Sequence, residues 1–193
     1  MKNLFVAILS LFLFSCTQKT YKEPHVLIKT EYGDIEVELY PDKAPATAAA
    51  FLTNIEGGVF NKSSFYRVIK NDNVPAEYNS GLIQGGIFKT DPSRQSQIKK
   101  IPHESPRQTG LSHVSGTISM ARTTPGSATS EFFICIGDQL QFDSSSGGNY
   151  DGLGYAAFGK VFKGMKVARE IQNKKSNGES FVTPIQIISI KKL

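Results

Sequence analysis

The stretch at 116–137, GTISMARTTPGSATSEFFICIG, places the tightest limit on what this chain can become. At its start Ile118 and Met120 alternate with Thr117 and Ser119, the period of two expected of a strand with one buried face. At its end, 132–136 is an unbroken apolar run, again of strand length. Between them, 122–130 is built from Thr, Ser, Gly, Ala, one Arg and one Pro, a composition that sustains neither a helix nor a ladder. The implied unit is two strands flanking a loop of small residues. Small side chains leave backbone N–H and C=O groups within reach of a neighbouring chain, and Phe132-Phe133 offers an apolar floor, so one reading is a groove for an extended peptide. The other is an ordinary strand, loop and buried strand of a β-protein.

The whole chain has 193 residues, enough for one domain with a sizeable core and a short appendage. Its net charge of +5 raises the question of an anionic partner, but the basic residues do not cluster. Lys99-Lys100, Lys174-Lys175 and Lys191-Lys192 are isolated pairs with no interleaved aromatics. The expectation is a solvated surface and no nucleic-acid partner.

The first residues read differently from the rest. Lys2 precedes an apolar run at 4–14 that is too short for a stable membrane-spanning helix, and Ser15-Cys16 follow. This pattern predicts a signal peptide over 1–15, cleaved before Cys16, then a linker over 16–24 and a domain over 25–193. Leu13-Phe14-Ser15-Cys16 resembles a bacterial lipobox. That resemblance implies lipidation at Cys16, a membrane anchor, and a place in the bacterial cell envelope, in the periplasm or at the cell surface. Cys135 is the one other cysteine, so no intrachain disulfide is expected in the processed chain, and it reads as a small packed hydrophobe. His25, His103 and His113 lie in unrelated segments without ligand spacing, and neither a metal nor another cofactor is expected.

Along the domain, short strands are predicted at 26–28, 35–39, 64–69, 82–88, 117–120, 132–136, 155–162 and 185–190. Pro45 opens a helix through about Ile55, stopped by Gly57-Gly58, and a second helix covers 165–172. The segments 70–80, 90–110 and 143–154 read as loops. Many short strands with two separated helices indicate a mainly β fold, and closing them into a barrel would protect the strand edges.

Four blocks then fall in register. Phe65-Tyr66-Arg67-Val68-Ile69, Ile83-Gln84-Gly85-Gly86-Ile87-Phe88, the stretch 116–134, and Ala157-Phe158-Gly159-Lys160-Val161 together resemble the signature blocks of the cyclophilin family of peptidyl-prolyl isomerases. The resemblance runs from about Val26 to Ile190. It implies a closed eight-stranded antiparallel β-barrel capped by two α-helices, cis/trans isomerisation of X-Pro bonds in proline-containing polypeptides, no cofactor, and a monomer. It also implies site roles. Arg67 matches the catalytic arginine and Gln84 the glutamine that binds the substrate backbone and helps hold it. Phe133 matches the floor of the proline pocket, Leu82 and Phe142 its walls, and Ala121 the residue whose backbone meets the peptide.

The chain departs from the family pattern at several of these places. Tyr155 stands where many members carry His, Glu131 where Gln is usual, Arg122 in place of a small polar residue, and Gln141 in place of a Trp. Glu131, Arg122 and Tyr155 are therefore expected to line the substrate groove with altered chemistry, and Glu131 to bring a carboxylate near Arg67 or the peptide. Gly81 precedes Leu82 where an aromatic is usual, and the Arg67-to-Gln84 segment is long, which leaves one pocket wall open. The rival reading is a non-catalytic peptide-binding or chaperone module on the same barrel, with Glu131 neutralising Arg67. A more distant one is an unrelated β-barrel lipoprotein that encloses a small ligand.

Overall fold

The computed structural model describes residues 21–145 and 150–193. The signal peptide expected over 1–15, Cys16 and most of the expected linker lie outside the described residues. The strands are β1 (His25–Thr30), β2 (Gly33–Leu39), β3 (Ser64–Ile69), β4 (Gly81–Gly86), β5 (Thr117–Met120), β6 (Phe132–Ile136), β7 (Ala156–Lys163), β8 (Ser176–Asn177) and β9 (Ser180–Lys192). The helices are α1 (Pro45–Glu56), α2 (Pro92–Gln97), α3 (Pro106–Thr109) and α4 (Met165–Gln172). Eight strands run antiparallel in the order β1-β2-β7-β5-β6-β4-β3-β9, and pairing of β1 with β9 closes the ring. The two-residue β8 adds a small ribbon to β9 beyond it. The expected closed eight-stranded barrel is present, and closure leaves its long strands without free edges.

Three differences from the sequence reading have local causes. The connection at 90–110 holds two extra helices, making four where two were expected. They start at Asp91-Pro92, where the Asp91 side chain accepts from the Arg94 amide at 3.0 Å, and at Ser105-Pro106, where Ser105 and Gln108 form a capping box. Capping and a preset proline φ stabilise single turns too short to show an apolar period. The strand expected at 82–88 ends at Gly86, whose φ of 146° turns Ile87 and Phe88 out of the sheet. The last strand begins at Ser180 rather than 185, because its first turns are mostly solvent-facing and lack an apolar alternation.

The core fills the barrel. Phe132 meets Phe51 of α1, Phe60 and Phe65 edge-on, with ring centroids 5.5 to 5.8 Å apart. The apolar run of β6 is explained by its two faces: Phe132, Ile134 and Ile136 point into this core, while Phe133 and Cys135 point outward and pack with Leu82 of β4. A strand with a period of two is apolar throughout only where both faces are covered. The outer cover is the candidate site.

Candidate active site

The site begins with an irregularity in β3. Phe65 and Val68 both face the core, which strict alternation forbids. The register against β4 slips between Phe65, opposite Gly85, and Arg67, opposite Gln84, and it slips at the same point against β9. Tyr66 takes up the slip as a bulge, so that Tyr66 and Arg67 both turn outward. Gly85 permits this close approach, since a side chain there would run into the Ser64 carbonyl and the Phe65 ring.

The outward side chains of β3, β4 and β6 line a cavity of about 580 Å³. All nine site residues named from the sequence line it: Arg67, Gln84, Leu82, Ala121, Arg122, Glu131, Phe133, Phe142 and Tyr155. Phe133 forms the floor, and its ring meets those of Phe142 and Tyr155 at near right angles, with centroids 5.5 and 5.4 Å away. Ile69 lines the side that Gly81 left open. Gly81 itself lies against the Ile69 backbone at a φ of 137°, a place with no room for a larger residue.

Arg67 stands at the edge of this apolar cup. Its Nη1 donates to Gln84 Oε1 at 2.8 Å, and its Nε and Nη2 donate to Glu179 Oε2 at 2.9 and 2.7 Å. A guanidinium carries five N–H bonds, so two remain for a substrate once these three are made. Glu179 lies in the turn between β8 and β9 and was not picked out by the sequence reading. Only closure of the barrel, which lays β9 beside β3, brings it to Arg67.

Glu131 corrects an expectation. It does not pair with Arg67. It is buried, and its carboxylate accepts from the Tyr66 hydroxyl at 2.7 Å, Ser130 Oγ at 3.0 Å, and the Ile87 and Phe88 amides at 2.9 and 3.0 Å. Burial pushes its carboxyl up from the ordinary value, against the opposing pull of these hydrogen bonds. Gly86 makes the space, since a Cβ there would collide with the carboxylate. Neutralisation of Arg67 by Glu131, on which the non-catalytic reading rested, is therefore replaced by an exposed pair with Glu179.

Arg122 also differs from a free cation on the rim. Its side chain is 2% exposed and forms a two-pronged pair with Asp151 at 2.7 and 2.8 Å, and its Nε reaches the Gly154 carbonyl at 3.2 Å. The guanidinium lies 5.3 Å from the Tyr155 ring centroid, fastening the 150–154 turn over one wall of the cup. This pairing holds the Asp151 carboxyl down at about 2. The Ala121 amide donates to the Glu131 carbonyl at 2.8 Å, continuing the β5 ladder into the groove wall.

His113 is a second residue the sequence reading set aside. It is fully buried, and its ring stacks under Phe133 with centroids 5.9 Å apart and planes 17° from parallel. Nδ1 lies 2.7 Å from Asp143 Oδ1 and Nε2 lies 3.0 Å from Ser119 Oγ. Burial lowers its pKa, outweighing the raising effect of Asp143. A neutral ring then donates from Nδ1 to the carboxylate and accepts at Nε2 from the serine hydroxyl. With Ser119 fully buried, this trio has no access to a substrate and supports the pocket floor. Its sole sequence signal was a histidine beside a β-strand.

A closed barrel with an arginine-edged apolar cup on its outer face has the layout of a protein that receives an extended chain and holds one ring-sized side group. Residues 25–192 match the family model described as cyclophilin type peptidyl-prolyl cis-trans isomerase/CLD. The chain belongs to the cyclophilin family of peptidyl-prolyl cis-trans isomerases, and its enzyme class is that of the family. It is 37% identical over 172 residues to a peptidyl-prolyl cis-trans isomerase of Acinetobacter baylyi, covering 86% of this chain and 84% of the relative. It is 37% identical over 148 residues to peptidyl-prolyl cis-trans isomerase B of Escherichia coli, covering 76% and 83%. In fold it resembles the cyclophilin-type isomerase of Cryptosporidium parvum crystallised in the presence of the dipeptide Ala-Pro, with a TM-score of 0.66, 24% identity, and coverage of 86% of this chain and 96% of that one.

Proposed function

We propose that this isomerase accelerates rotation about X-Pro bonds in polypeptides folding in the bacterial cell envelope, held to a membrane by a lipid on Cys16, with Arg67 as the catalytic group. The observation that carries the assignment of Arg67 is its position: a guanidinium steadied by Gln84 at the edge of a cup floored by Phe133.

The uncatalysed rotation crosses a barrier of about 18–20 kcal/mol because the amide C–N bond has partial double-bond character. Nothing covalent is required to lower it. A proline ring seated on Phe133, between Leu82, Phe142 and Tyr155, fixes one side of the bond while the acyl side turns. As the prolyl nitrogen becomes pyramidal its lone pair leaves conjugation with the carbonyl and localises on nitrogen, and the free N–H bonds of Arg67 can donate to it or to the adjacent carbonyl. Those contacts are stronger in the twisted state than in the planar one, which is the condition for raising the rate rather than merely binding. Gln84 holds the guanidinium through Oε1 and stands beside the peptide path.

The envelope location rests on the apolar leader at 4–14 followed by the lipobox-like Leu13-Phe14-Ser15-Cys16. The test of the site is isomerisation of a proline-containing peptide by wild type and Arg67→Ala. A folded Arg67→Ala protein should lose at least tenfold in turnover, about 1.4 kcal/mol of transition-state stabilisation. Wild-type turnover in that variant would remove Arg67 from the mechanism.

A further inference from the structure

The barrel wall across from the cup carries a cluster that the mechanism does not use. Residues 21–24, the end of the expected linker, are fastened there. The Tyr21 ring stacks on that of His25 with centroids 3.7 Å apart and planes 17° from parallel, and it meets Phe162 of β7 edge-on at 6.3 Å. Its hydroxyl hydrogen-bonds with the Glu36 carboxylate, which also lies 2.9 Å from His25 Nδ1. A stacked ring with a partnered hydroxyl holds the chain at one point.

These contacts lie on β1, β2 and β7, centred on β2, whereas the cup lies on β3, β4 and β6, centred on β4. In the closed ring β2 and β4 stand four strands apart in either direction, so clamp and cup occupy opposite walls. Tyr21 is five positions after Cys16, a length of chain that reaches at most about 18 Å when fully extended. Half the circumference of an eight-stranded barrel is four strand spacings, about 19 Å at the backbone and more over the side chains and with strand tilt. With Tyr21 seated, the chain from Cys16 is too short to pass round the barrel to the cup. The clamp wall also suits a lipid surface: Phe162 is 51% exposed, Lys163 Nζ lies 5.1 Å from its ring centroid, and Lys160 on the same strand is exposed.

We propose that the wall formed by β1, β2 and β7 faces the bilayer that holds the Cys16 lipid, and that the Tyr21 clamp thereby turns the proline cup away from the membrane. The proposal rests on the reading of Cys16 as the lipid-bearing residue. It sets a substrate class: the anchored enzyme takes polypeptide chains from the aqueous compartment, not segments lying in the bilayer surface.

The test uses full-length protein purified with its lipid and reconstituted into phosphatidylcholine–phosphatidylglycerol vesicles that carry an energy acceptor on some headgroups. A donor dye is attached at Lys160→Cys on the clamp wall or at Lys89→Cys, an exposed position next to Phe88 of the cup. Cys135 is buried and Cys16 carries the lipid, so each variant takes one dye. The donor at 160 should lose more of its emission to the acceptor than the donor at 89. Tyr21→Ala lengthens the tether to the eight residues that end at Pro24, whose carbonyl accepts from the Leu39 amide at 2.9 Å. Eight residues reach about 29 Å, past the half circumference, so in that variant the two losses should draw together.

Equal losses in the wild type, or a larger one at 89, overturn the proposal, and so does a difference that Tyr21→Ala leaves unchanged. Wild-type protein whose mass shows no lipid overturns the anchor instead, and the orientation with it. In detergent, apart from any bilayer, nuclear Overhauser contacts between the Tyr21 and His25 rings check the clamp by itself, and their absence would sink it.

Discussion

Arg67 and Glu179 are separated by 112 residues in sequence, yet Nη2 of the first lies 2.7 Å from Oε2 of the second at the mouth of the cavity. The two side chains are 37% and 60% exposed, which makes this a surface ion pair in front of the group assigned to catalysis. Exposed pairs of this kind contribute about 0–1 kcal/mol. The pair can therefore orient the guanidinium without making it unavailable to a substrate carbonyl.

From that magnitude, Glu179→Gln should reduce kcat/KM by about twofold to fivefold, with the loss shrinking in high salt as the wild-type pair is itself screened. Peptide isomerisation by both proteins at low and high ionic strength measures this. A gain in activity would show that Glu179 restrains Arg67 rather than aiming it.

His113 predicts how stability depends on pH. Its pKa in the folded state lies below the ordinary value of about 6.5, so between those two values the unfolded chain binds a proton that the folded one refuses. The stability it contributes is fully present above about pH 6.5 and declines as the pH falls below that. His103 is shifted in the same direction and adds to the decline. Thermal melts should show wild type losing more stability between pH 7 and pH 5.5 than His113→Gln does, relative to each protein at pH 7. Parallel curves would place the proton uptake elsewhere.

Lipidation at Cys16 predicts that full-length protein expressed in a bacterial host sediments with membranes and that Cys16→Ala releases it to the soluble fraction. Equal partitioning of the two would refute the anchor.

The barrel was legible because its signals are local. Alternation marked several strands, Pro45 and Gly57-Gly58 bounded the first helix, and the continuous apolar run at 132–136 marked another strand. The helices at Pro92–Gln97 and Pro106–Thr109 were missed because one or two turns give no measurable period, although Asp91-Pro92 and Ser105-Pro106 were start signals. The nine residues carried by the family resemblance converge on one cavity, since motifs on β3, β4 and β6 are neighbours wherever this ring of strands closes.

Residue type and spacing by themselves marked the strands, and the blocks that resemble the cyclophilin family pointed to the side chains of the cup: apolar Phe133, Leu82 and Phe142, with Arg67 and Gln84. What each charge does there was decided by the tertiary structure. Glu131, two residues from the pocket floor in sequence, turns its carboxylate to Tyr66 and the Ile87 and Phe88 amides, because Gly86 leaves room for it beside those donors. Glu179, far away in sequence, takes the place at Arg67, because the β3 bulge and the closure of β9 onto β3 bring it there. Ion pairing depends on distance, which follows strand register and barrel closure rather than sequence separation.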